Sequence, residues 1–289
     1  MRSSTKWNDY QLIDAGDGEK LEMIKSFLIR RPDPVAIWPK GKSESHWNQA
    51  HAVYHRSKKG GGHWEQSKKI PEYLNLTYND MVFSCSLTDF KHIGLFPEQA
   101  VNWDWMSETI SSSNRHHLKV LNLFAYTGAA TISCAKMEQV HEVVHVDASK
   151  GMNQWAKNNL ELNQLSHKKV RFIVDDVNKF VQREIRREHK YDIIILDPPS
   201  YGRGPNNELW KIEDHIVELL KNIKLLLSEK PLFVLLNSYT SNLSPIMINN
   251  LLTTVFDQGI IFSDEIGITY QDQSMVLPAG VSGIWQPLK

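Results

Sequence analysis

The second part of the chain alternates apolar runs with segments of helical length, and this alternation limits the fold more than any other feature. The runs are LKVLNLF (118–124), HEVVHVD (141–147), VRFIV (170–174), YDIIILD (191–197) and PLFVLLN (231–237). Helix-length segments lie between them, for example 150–164 and 208–228. Strands that are apolar on both faces and alternate with helices predict a parallel sheet with helices on both sides.

The two ends of the chain differ from this pattern. The tail segments GIIFSDEIGITY and SMVLPAGVSGIWQ, joined by QDQ, predict an antiparallel hairpin at one sheet edge. Residues 1–106 hold six of the nine tryptophans and short β-like runs such as VAIWP (35–39) and MVFSCSLTDF (81–90). We therefore predict a small β-rich domain over 1–106, which helps to bind substrate, and an α/β domain over 107–289.

Charge and composition exclude several classes of protein. Lysine plus arginine and aspartate plus glutamate both number 33, so the net charge is zero and a strongly basic coat is excluded. The polar start does not match a signal peptide, and no run approaches the ~18 apolar residues of a membrane span. We expect a cytoplasmic protein without a membrane partner. Two distant cysteines and the pair His51 and His55 do not predict a metal site.

The ends of the first three strands carry the residues of a candidate ligand site. The first strand leads into NLFAYTGAAT, which has one glycine, Gly128, where a dinucleotide loop has three. This favours a ligand without a phosphate over NAD. Asp147, about 20 residues further on, ends the second strand, where a carboxylate can accept from both ribose hydroxyls. Asp176 and Val177 follow the third strand and can meet the amino group and ring nitrogen of an adenine. For both acids the alternative is a helix N-cap.

The fourth strand ends in LDPPSYGRG (196–204). Two prolines end a strand because each removes a ladder donor, so Asp197 lies at its tip. The ordered set of a glycine loop, acids after strands two and three and Asp-Pro-Pro after strand four resembles the class I S-adenosylmethionine-dependent methyltransferases. The stretches KHIGLFPEQAVNWDWM, VLNLFAYTGAAT, HVDASKGMNQWAKNN and YDIIILDPPSYGRG resemble a bacterial group related to the large-subunit ribosomal RNA methyltransferases.

The resemblance implies a fold, a cofactor and a set of site residues. The fold is a Rossmann-like, mostly parallel sheet of seven strands with the C-terminal antiparallel hairpin, preceded by the β-rich domain. The cofactor is S-adenosyl-L-methionine. Relatives carry a glycine-aromatic-x-x-x-Gln motif before the catalytic domain, which Gly94, Phe96 and Gln99 match. The implied cofactor-binding residues are Phe96, Gln99, Asn122, Phe124, Tyr126, Thr127, Gly128, Asp147, Ala148, Ser149, Asp176, Val177 and Asp197.

The Asp-Pro-Pro-x-aromatic order resembles the acceptor motif of methyltransferases that act on planar amines or ring atoms. Asp197 and the carbonyl of Pro198 can accept amine hydrogens, and Tyr201 can stack on a base taken out of its helix. The alternative is that Asp197 binds only the cofactor and the prolines turn the chain. Methylation at carbon 5 of cytosine needs a cysteine nucleophile. Related ribosomal enzymes place it just after the fifth strand, where Tyr239 lies here. We interpret Cys85 and Cys134 as buried apolar residues.

A basic stretch in the first part of the chain suits RNA binding. HRSKKGGGHWEQSKK combines cations, an aromatic residue and three glycines that make it flexible. Its candidate substrate-binding residues are Arg56, Lys58, Lys59, Trp64, Lys68 and Lys69. The alternative is a solvated hairpin loop.

Together these patterns predict a methyltransferase acting on RNA, most of all ribosomal RNA, at a base amine or ring nitrogen. The alternatives are a protein or small-molecule amine methyltransferase, and a cofactor-binding RNA-binding protein without turnover. The sequence leaves the oligomeric state open.

Overall fold

The computed structural model describes residues 1–57, 61–240 and 243–288. The chain divides into two compact units. The first contains Met1–Val101 and Ile266–Ala279, and the second contains Asn102–Glu265 and Gly280–Lys289. Among the described residues, no helix is both long and apolar enough to cross a membrane.

The first unit is built largely of short strands. Its elements up to residue 99 are β1 (Arg2–Ser3), β2 (Tyr10–Gly16), β3 (Glu19–Ile24), β4 (Phe27–Pro32), α1 (Glu44–Trp47), β5 (Ala52–Arg56), β6 (Gly62–Gln66), β7 (Leu74–Tyr78), β8 (Met81–Cys85) and a 3₁₀ turn (Pro97–Gln99). Strands β2 to β6 form one sheet in chain order, and β7 and β8 form a separate two-stranded sheet.

Of two runs that were predicted to be β-strands, one is a strand in the structure and the other is not. MVFSC is strand β8, as predicted. VAIWP is not a strand, so that prediction was wrong. Its backbone instead binds the turn after β2, because Asp17 N–H donates to the carbonyl of Trp38 (2.7 Å) and Gly18 N–H to that of Ala36 (2.8 Å).

The rest of the chain alternates strands and helices. The elements are α2 (Ala100–Ser112), β9 (Leu118–Leu123), α3 (Ala129–Ala135), β10 (Val140–Asp147), α4 (Lys150–Leu162), β11 (Lys169–Val174), α5 (Val177–Arg186), β12 (Ile193–Leu196), β13 (Tyr201–Arg203), β14 (Leu209–Lys211), α6 (Ile212–Lys224), β15 (Phe233–Ser238), α7 (Pro245–Val255), β16 (Ile260–Thr269) and β17 (Val276–Gln286).

The large sheet has the predicted architecture. Its strand order is β1-β16-β17-β15-β12-β9-β10-β11. The pairs among β15, β12, β9, β10 and β11 are all parallel, and β17 runs antiparallel to β15. The seven-stranded sheet and its terminal pair of strands are therefore confirmed, and the two-residue β1 adds an eighth strand. The central strands β12 and β15 are fully buried, and their apolar runs IIIL and FVLL are typical of a sheet that is covered on both faces.

Two sequence predictions need correction within this unit. The segment 208–228 is not one helix, because β14 takes residues 209–211 before α6 begins. Strand β11 is not buried on both faces, and its residues are half-buried or exposed. It lies at the edge of the sheet, with β10 on one side, so a polar residue such as Arg171 is tolerated there.

Candidate cofactor and acceptor site

The strand order reverses between β9 and β12. From β9 the chain continues to β10 and β11 on one side, and it then returns to place β12 on the other. Leu196 pairs with Leu123 at the carboxyl ends of these two strands, and Asp197 N–H donates to the Leu123 carbonyl (3.3 Å). Ligands in open α/β sheets bind at such a switch point. Phe124 and Asp197 thus leave adjacent strands at the expected place.

The loop between β9 and α3 is held in an unusual backbone conformation. Phe124 (φ 55°), Tyr126 (φ 50°) and Gly128 (φ 89°) all adopt the left-handed region. A Cβ at Gly128 would lie 2.9 Å from the Cβ of Ala156, so only glycine allows α4 to pack this closely. Backbone outliers that the surroundings maintain are concentrated at functional sites. Such a loop, including the buried Thr127, is a candidate ligand cradle.

A buried row of hydrogen-bonded polar side chains lies next to this loop. The Asn122 side-chain amide donates to Thr131 Oγ1 (3.0 Å), which lies 2.9 Å from His145 Nδ1. All three side chains are buried. Burial lowers the pKa of His145 to about 3, so the ring is neutral at neutral pH and Nδ1 can accept the Thr131 hydroxyl proton. The Asn122 amide group therefore has a structural contact within the core.

Asp147 joins the cradle loop to the loop after β10. Its Oδ2 accepts from Tyr126 N–H (2.9 Å) and its Oδ1 from Ser149 N–H (2.8 Å). Burial raises the pKa of Asp147 above its usual range, and these two N–H groups lower it in part. The alternative of a helix cap does not apply, because Ser149 caps α4 by accepting from Met152 N–H (3.3 Å). Asp147 and the half-buried Ala148 thus precede the cap.

Two asparagines on α4 fix the same loops, and sequence reasoning missed both. The Asn153 side chain donates to the carbonyls of Asp147 and Ser149, each at 3.0 Å. The Asn159 side chain donates to the carbonyl of Thr127 (3.0 Å). Both residues are buried. Asparagine is common on the solvated surface of a polar helix, so the sequence signal for these two buried contacts was weak.

Asp176 caps a helix, which is the alternative stated for it in the sequence analysis. It is the N-cap of α5, and its Oδ1 accepts from Lys179 N–H (2.9 Å). Its neighbour Asp175 pairs with Arg183. Val177 is the first residue of the helix and is buried. A capping carboxylate has a second oxygen, so the cap and an adenine contact are compatible, and the contact stays a prediction.

The Asp-Pro-Pro turn leaves one prolyl carbonyl for an acceptor. The Pro199 carbonyl already accepts from the indole N–H of Trp210 (2.7 Å). Ser200 Oγ lies 2.6 Å from Thr240 Oγ1. Asp197 is half-buried and Pro198 is buried. Of the two prolyl carbonyls, that of Pro198 therefore remains the candidate to act with Asp197. Trp210 is a third residue, after Asn153 and Asn159, that the sequence did not reveal.

Phe96 and Gln99 belong to the first unit. The ring of Phe96 is half-buried and lies 5.4 Å from the ring of His92, and Gln99 is buried in the 3₁₀ turn. The motif glycine, Gly94, has a φ of 84°, which a residue with a side chain rarely adopts. Their contact with the cofactor stays a prediction.

Parts of the basic stretch belong to the strands β5 and β6. Lys58 and Lys59 lie outside the described residues. Gly62 belongs to β6, where a Cβ would lie 2.2 Å from the His55 carbonyl, so the expectation that it provides flexibility was wrong. Trp64 is half-buried, and its indole donates to the Thr88 carbonyl (2.7 Å). Arg56, Lys68 and Lys69 are exposed. Substrate binding by this stretch stays a prediction.

The cysteines are buried, as interpreted from the sequence. Both are free thiols, and burial raises the pKa of Cys85 and of Cys134 to about 12. A thiol with so high a pKa is a poor nucleophile at neutral pH. The position after β15 is taken by Tyr239. Within the described ranges, no group of three or more His, Cys, Asp or Glu residues could hold a metal ion.

The chain matches one family model and a nearly full-length solved structure. Residues 40–238, more than half of the chain, match the model of the S-adenosylmethionine-dependent methyltransferases. A crystal structure of a SAM-dependent methyltransferase from Agrobacterium tumefaciens is 35% identical with a TM-score of 0.92, and the match covers 99% of this chain and 92% of that one.

Curated relatives match over shorter segments. Ribosomal RNA large subunit methyltransferase K/L of Syntrophotalea carbinolica is 33% identical over 153 residues, which is 53% of this chain and 20% of the relative. Ribosomal RNA large subunit methyltransferase I of Salmonella arizonae is 43% identical over 83 residues, 29% of this chain and 20% of the relative. The match thus spans about a fifth of the length of these relatives. The family model, the nearly full-length structural match and the switch-point site together show that the chain belongs to the S-adenosylmethionine-dependent methyltransferase family.

Proposed function

We propose that this methyltransferase acts on RNA at a base amine or ring nitrogen. Ribosomal RNA is the favoured candidate for the substrate. The observation that carries the proposal is the rigid Asp197-Pro198 pair at the switch point, next to the loop 124–128. The matched segments of relatives named as ribosomal RNA methyltransferases support the substrate class. We also propose that 107–289 is the catalytic domain and that the β-rich segment 1–106 contributes to substrate binding.

The residues around the loop fit S-adenosylmethionine. Asp147 is a carboxylate held by two backbone N–H groups, so its remaining lone pairs suit the two hydroxyls of a ribose. Asp176 and Val177 N–H offer an acceptor and a donor for adenine. A single-glycine loop without phosphate-cradling turns fits a cofactor that has no phosphate. When bound, the cofactor supplies an electrophilic methyl group on a positively charged sulfur.

The protein's part in the reaction is to position a weak nucleophile. The lone pair of a base amine is delocalised into its ring. The Asp197 carboxylate and the Pro198 carbonyl would accept the amine hydrogens and hold the nitrogen towards the methyl group that the cofactor supplies. Asp197 would accept one amine proton and pass it to solvent, while the methyl–sulfur bond would break with its electron pair left on the sulfur of S-adenosylhomocysteine. The strand β12 and the Trp210 hydrogen bond to Pro199 keep these acceptors rigid.

A labelling experiment tests both the substrate and the role of Asp197. Purified protein is incubated with radiolabelled cofactor and either protein-free bulk RNA or lysate protein. We expect label in RNA. We expect Asp197→Ala to reduce the transfer rate by at least 100-fold while calorimetry shows the affinity for S-adenosylhomocysteine within about threefold, since a positioned proton acceptor contributes about 10²–10⁴-fold.

Matched controls separate the alternatives. The double variant Cys85→Ala and Cys134→Ala should keep its activity if it is folded, because neither thiol is a nucleophile here. A folded but inactive double variant would support the alternative in which a cysteine acts as a covalent nucleophile. Label in lysate protein instead of RNA would contradict the proposed substrate, and a parallel loss of rate and cofactor affinity in Asp197→Ala would assign Asp197 to the cofactor.

A further inference from the structure

A small antiparallel hairpin follows the proposed acceptor residues directly. Strands β13 and β14 pair Tyr201 with Lys211, Gly202 with Trp210 and Arg203 with Leu209. Residues opposite each other, and residues two apart on one strand, lie on the same face of such a ladder. Gly202 and Trp210 therefore occupy one face. The other face, which we call the outer face, carries Tyr201, Arg203, Leu209 and Lys211.

The first face of the hairpin is firmly attached. Trp210 is buried, and its ring lies 4.9 Å from that of Phe124 in the loop after β9. The indole N–H of Trp210 bonds to the Pro199 carbonyl, and Ile212 N–H donates to the Ser200 carbonyl (3.1 Å). These contacts tie the hairpin to the Asp-Pro-Pro turn, so the outer face has a defined position relative to Asp197.

The turn of the hairpin is attached as well. Lys179 Nζ of α5 lies 2.5 Å from Glu208 Oε1, and Gly204 N–H donates to the Glu208 carbonyl (2.8 Å). The pairing with Lys179 lowers the pKa of Glu208 to about 2, so its carboxylate is ionised at neutral pH and pairs with a cation of its own. Among the described residues, Glu208 pairs with Lys179 and forms no ion pair with Arg203 or Lys211.

The outer face combines two cations with an aromatic and an aliphatic side chain. Tyr201 is 54% exposed and Leu209 is 45% exposed. Arg203 and Lys211 are also exposed. In the part of the chain that the structure describes, neither cation forms an ion pair, and the Arg203 side chain has contacts of 3.4 and 3.5 Å with Asn207. The net charge of the chain is zero, so these two charges are a local feature.

We propose that the outer face binds the single-stranded RNA that flanks the target nucleotide, with Arg203 and Lys211 on phosphates and Tyr201 and Leu209 against flanking bases, so that Tyr201 stacks beside the target base and not on it. This inference rests on the proposed function. Cations interleaved with an aromatic surface suit single-stranded nucleic acid, since the charges attract the backbone and the ring stacks on any base. The guanidinium of Arg203 offers a fork of donors that matches a phosphate.

The test compares two double variants, each of which removes one arginine and one lysine. The first is Arg203→Ala with Lys211→Ala. The control is Arg186→Ala with Lys221→Ala, at exposed positions of α5 and α6. Binding of a fluorescein-labelled, mixed-sequence 12-nucleotide single-stranded RNA is measured by anisotropy from 25 to 200 mM KCl. Each lost phosphate contact flattens the plot of log affinity against log salt by roughly 0.7.

We expect the outer-face variant to flatten the salt slope by about 1 to 1.5, and the control to leave it unchanged. Arg203→Lys keeps the charge and should keep the slope. Tyr201→Ala should weaken binding by about 10- to 100-fold at constant slope, because stacking releases no counterions. Calorimetry with S-adenosylhomocysteine checks that each variant is folded.

The outcomes separate this inference from the proposed function. If the wild type labels RNA but the two double variants have equal salt slopes, the outer face does not bind RNA and the function stands. If the wild type labels protein or labels nothing, the function and this inference both fail.

Discussion

The carboxylates of Asp147, at the end of β10, and Asp176, just after β11, form different hydrogen bonds. Each follows an apolar strand and precedes a helix. Asp147 leaves the capping of α4 to Ser149 and uses both oxygens to join two loops through Tyr126 and Ser149 N–H. Asp176 caps α5 itself. The difference teaches that an acid at a strand end can join two loops when another residue caps the following helix.

Of the changes to these two acids and to Ser149, Asp147→Ala is expected to have the largest effect, on cofactor affinity. Loss of two hydrogen bonds to a charged acceptor costs about 2–4 kcal/mol, roughly a 30- to 1000-fold rise in the Kd for S-adenosylhomocysteine. Calorimetric titration measures it, and thermal unfolding checks that the loops still fold. An unchanged Kd in a folded variant would show that Asp147 does not bind the ribose. Its role would then be structural, like the helix cap of Asp176.

Asp176 sharpens the comparison through two substitutions. Asp176→Ala should lower the free energy of unfolding by about 0.5–2 kcal/mol, because the α5 cap is lost. Asp176→Ser keeps a capping oxygen and should restore most of that stability. We expect it not to restore affinity for S-adenosylhomocysteine, since a hydroxyl replaces the carboxylate at the predicted adenine contact. Urea unfolding and calorimetry measure the two effects, and full recovery of affinity in the serine variant would leave Asp176 with the cap alone.

Ser149 provides the matching change on the other helix. Ser149→Ala removes the cap of α4 and should cost about 1 kcal/mol of stability. Its backbone N–H still bonds to Asp147, so we expect the Kd for S-adenosylhomocysteine to change by less than about threefold. The same urea and calorimetric measurements apply. A loss of affinity comparable to that of Asp147→Ala would show that the side chain of Ser149 contacts the cofactor.

The smallest effect concerns pH. Because burial raises the pKa of Asp147, the folded protein favours the protonated acid. This contribution to stability is present at low pH and is lost as the pH rises through the folded-state pKa. Ribose binding needs the carboxylate, so affinity for S-adenosylhomocysteine should fall as the pH is lowered through the raised pKa of Asp147. Asp147→Asn should flatten this dependence, and an identical pH profile in that variant would assign the titration to another group.

Much of the site was predictable because its signals are local. Apolar runs such as IIIL in β12 predict buried strands, and prolines predict where a strand ends. The positions of Gly128, Asp147 and Asp197 at strand ends follow from these boundaries together with the family resemblance. The short strands β13 and β14 were not predictable, since three-residue strands lack a periodic signal and Trp210 resembles any helix residue of the segment 208–228.

The sequence by itself determined the alternation of strands and helices, the order of the strand-end residues and the burial of both cysteines, because each depends on hydrophobic pattern along the chain. Tertiary structure decided which acid caps a helix, which prolyl carbonyl is already bonded, and which residues support the loop 124–128. Trp210 reaches Pro199 across eleven residues of sequence, and Asn159 reaches Thr127 across 32. Such contacts depend on how separate elements pack, and local sequence does not encode the distance between them.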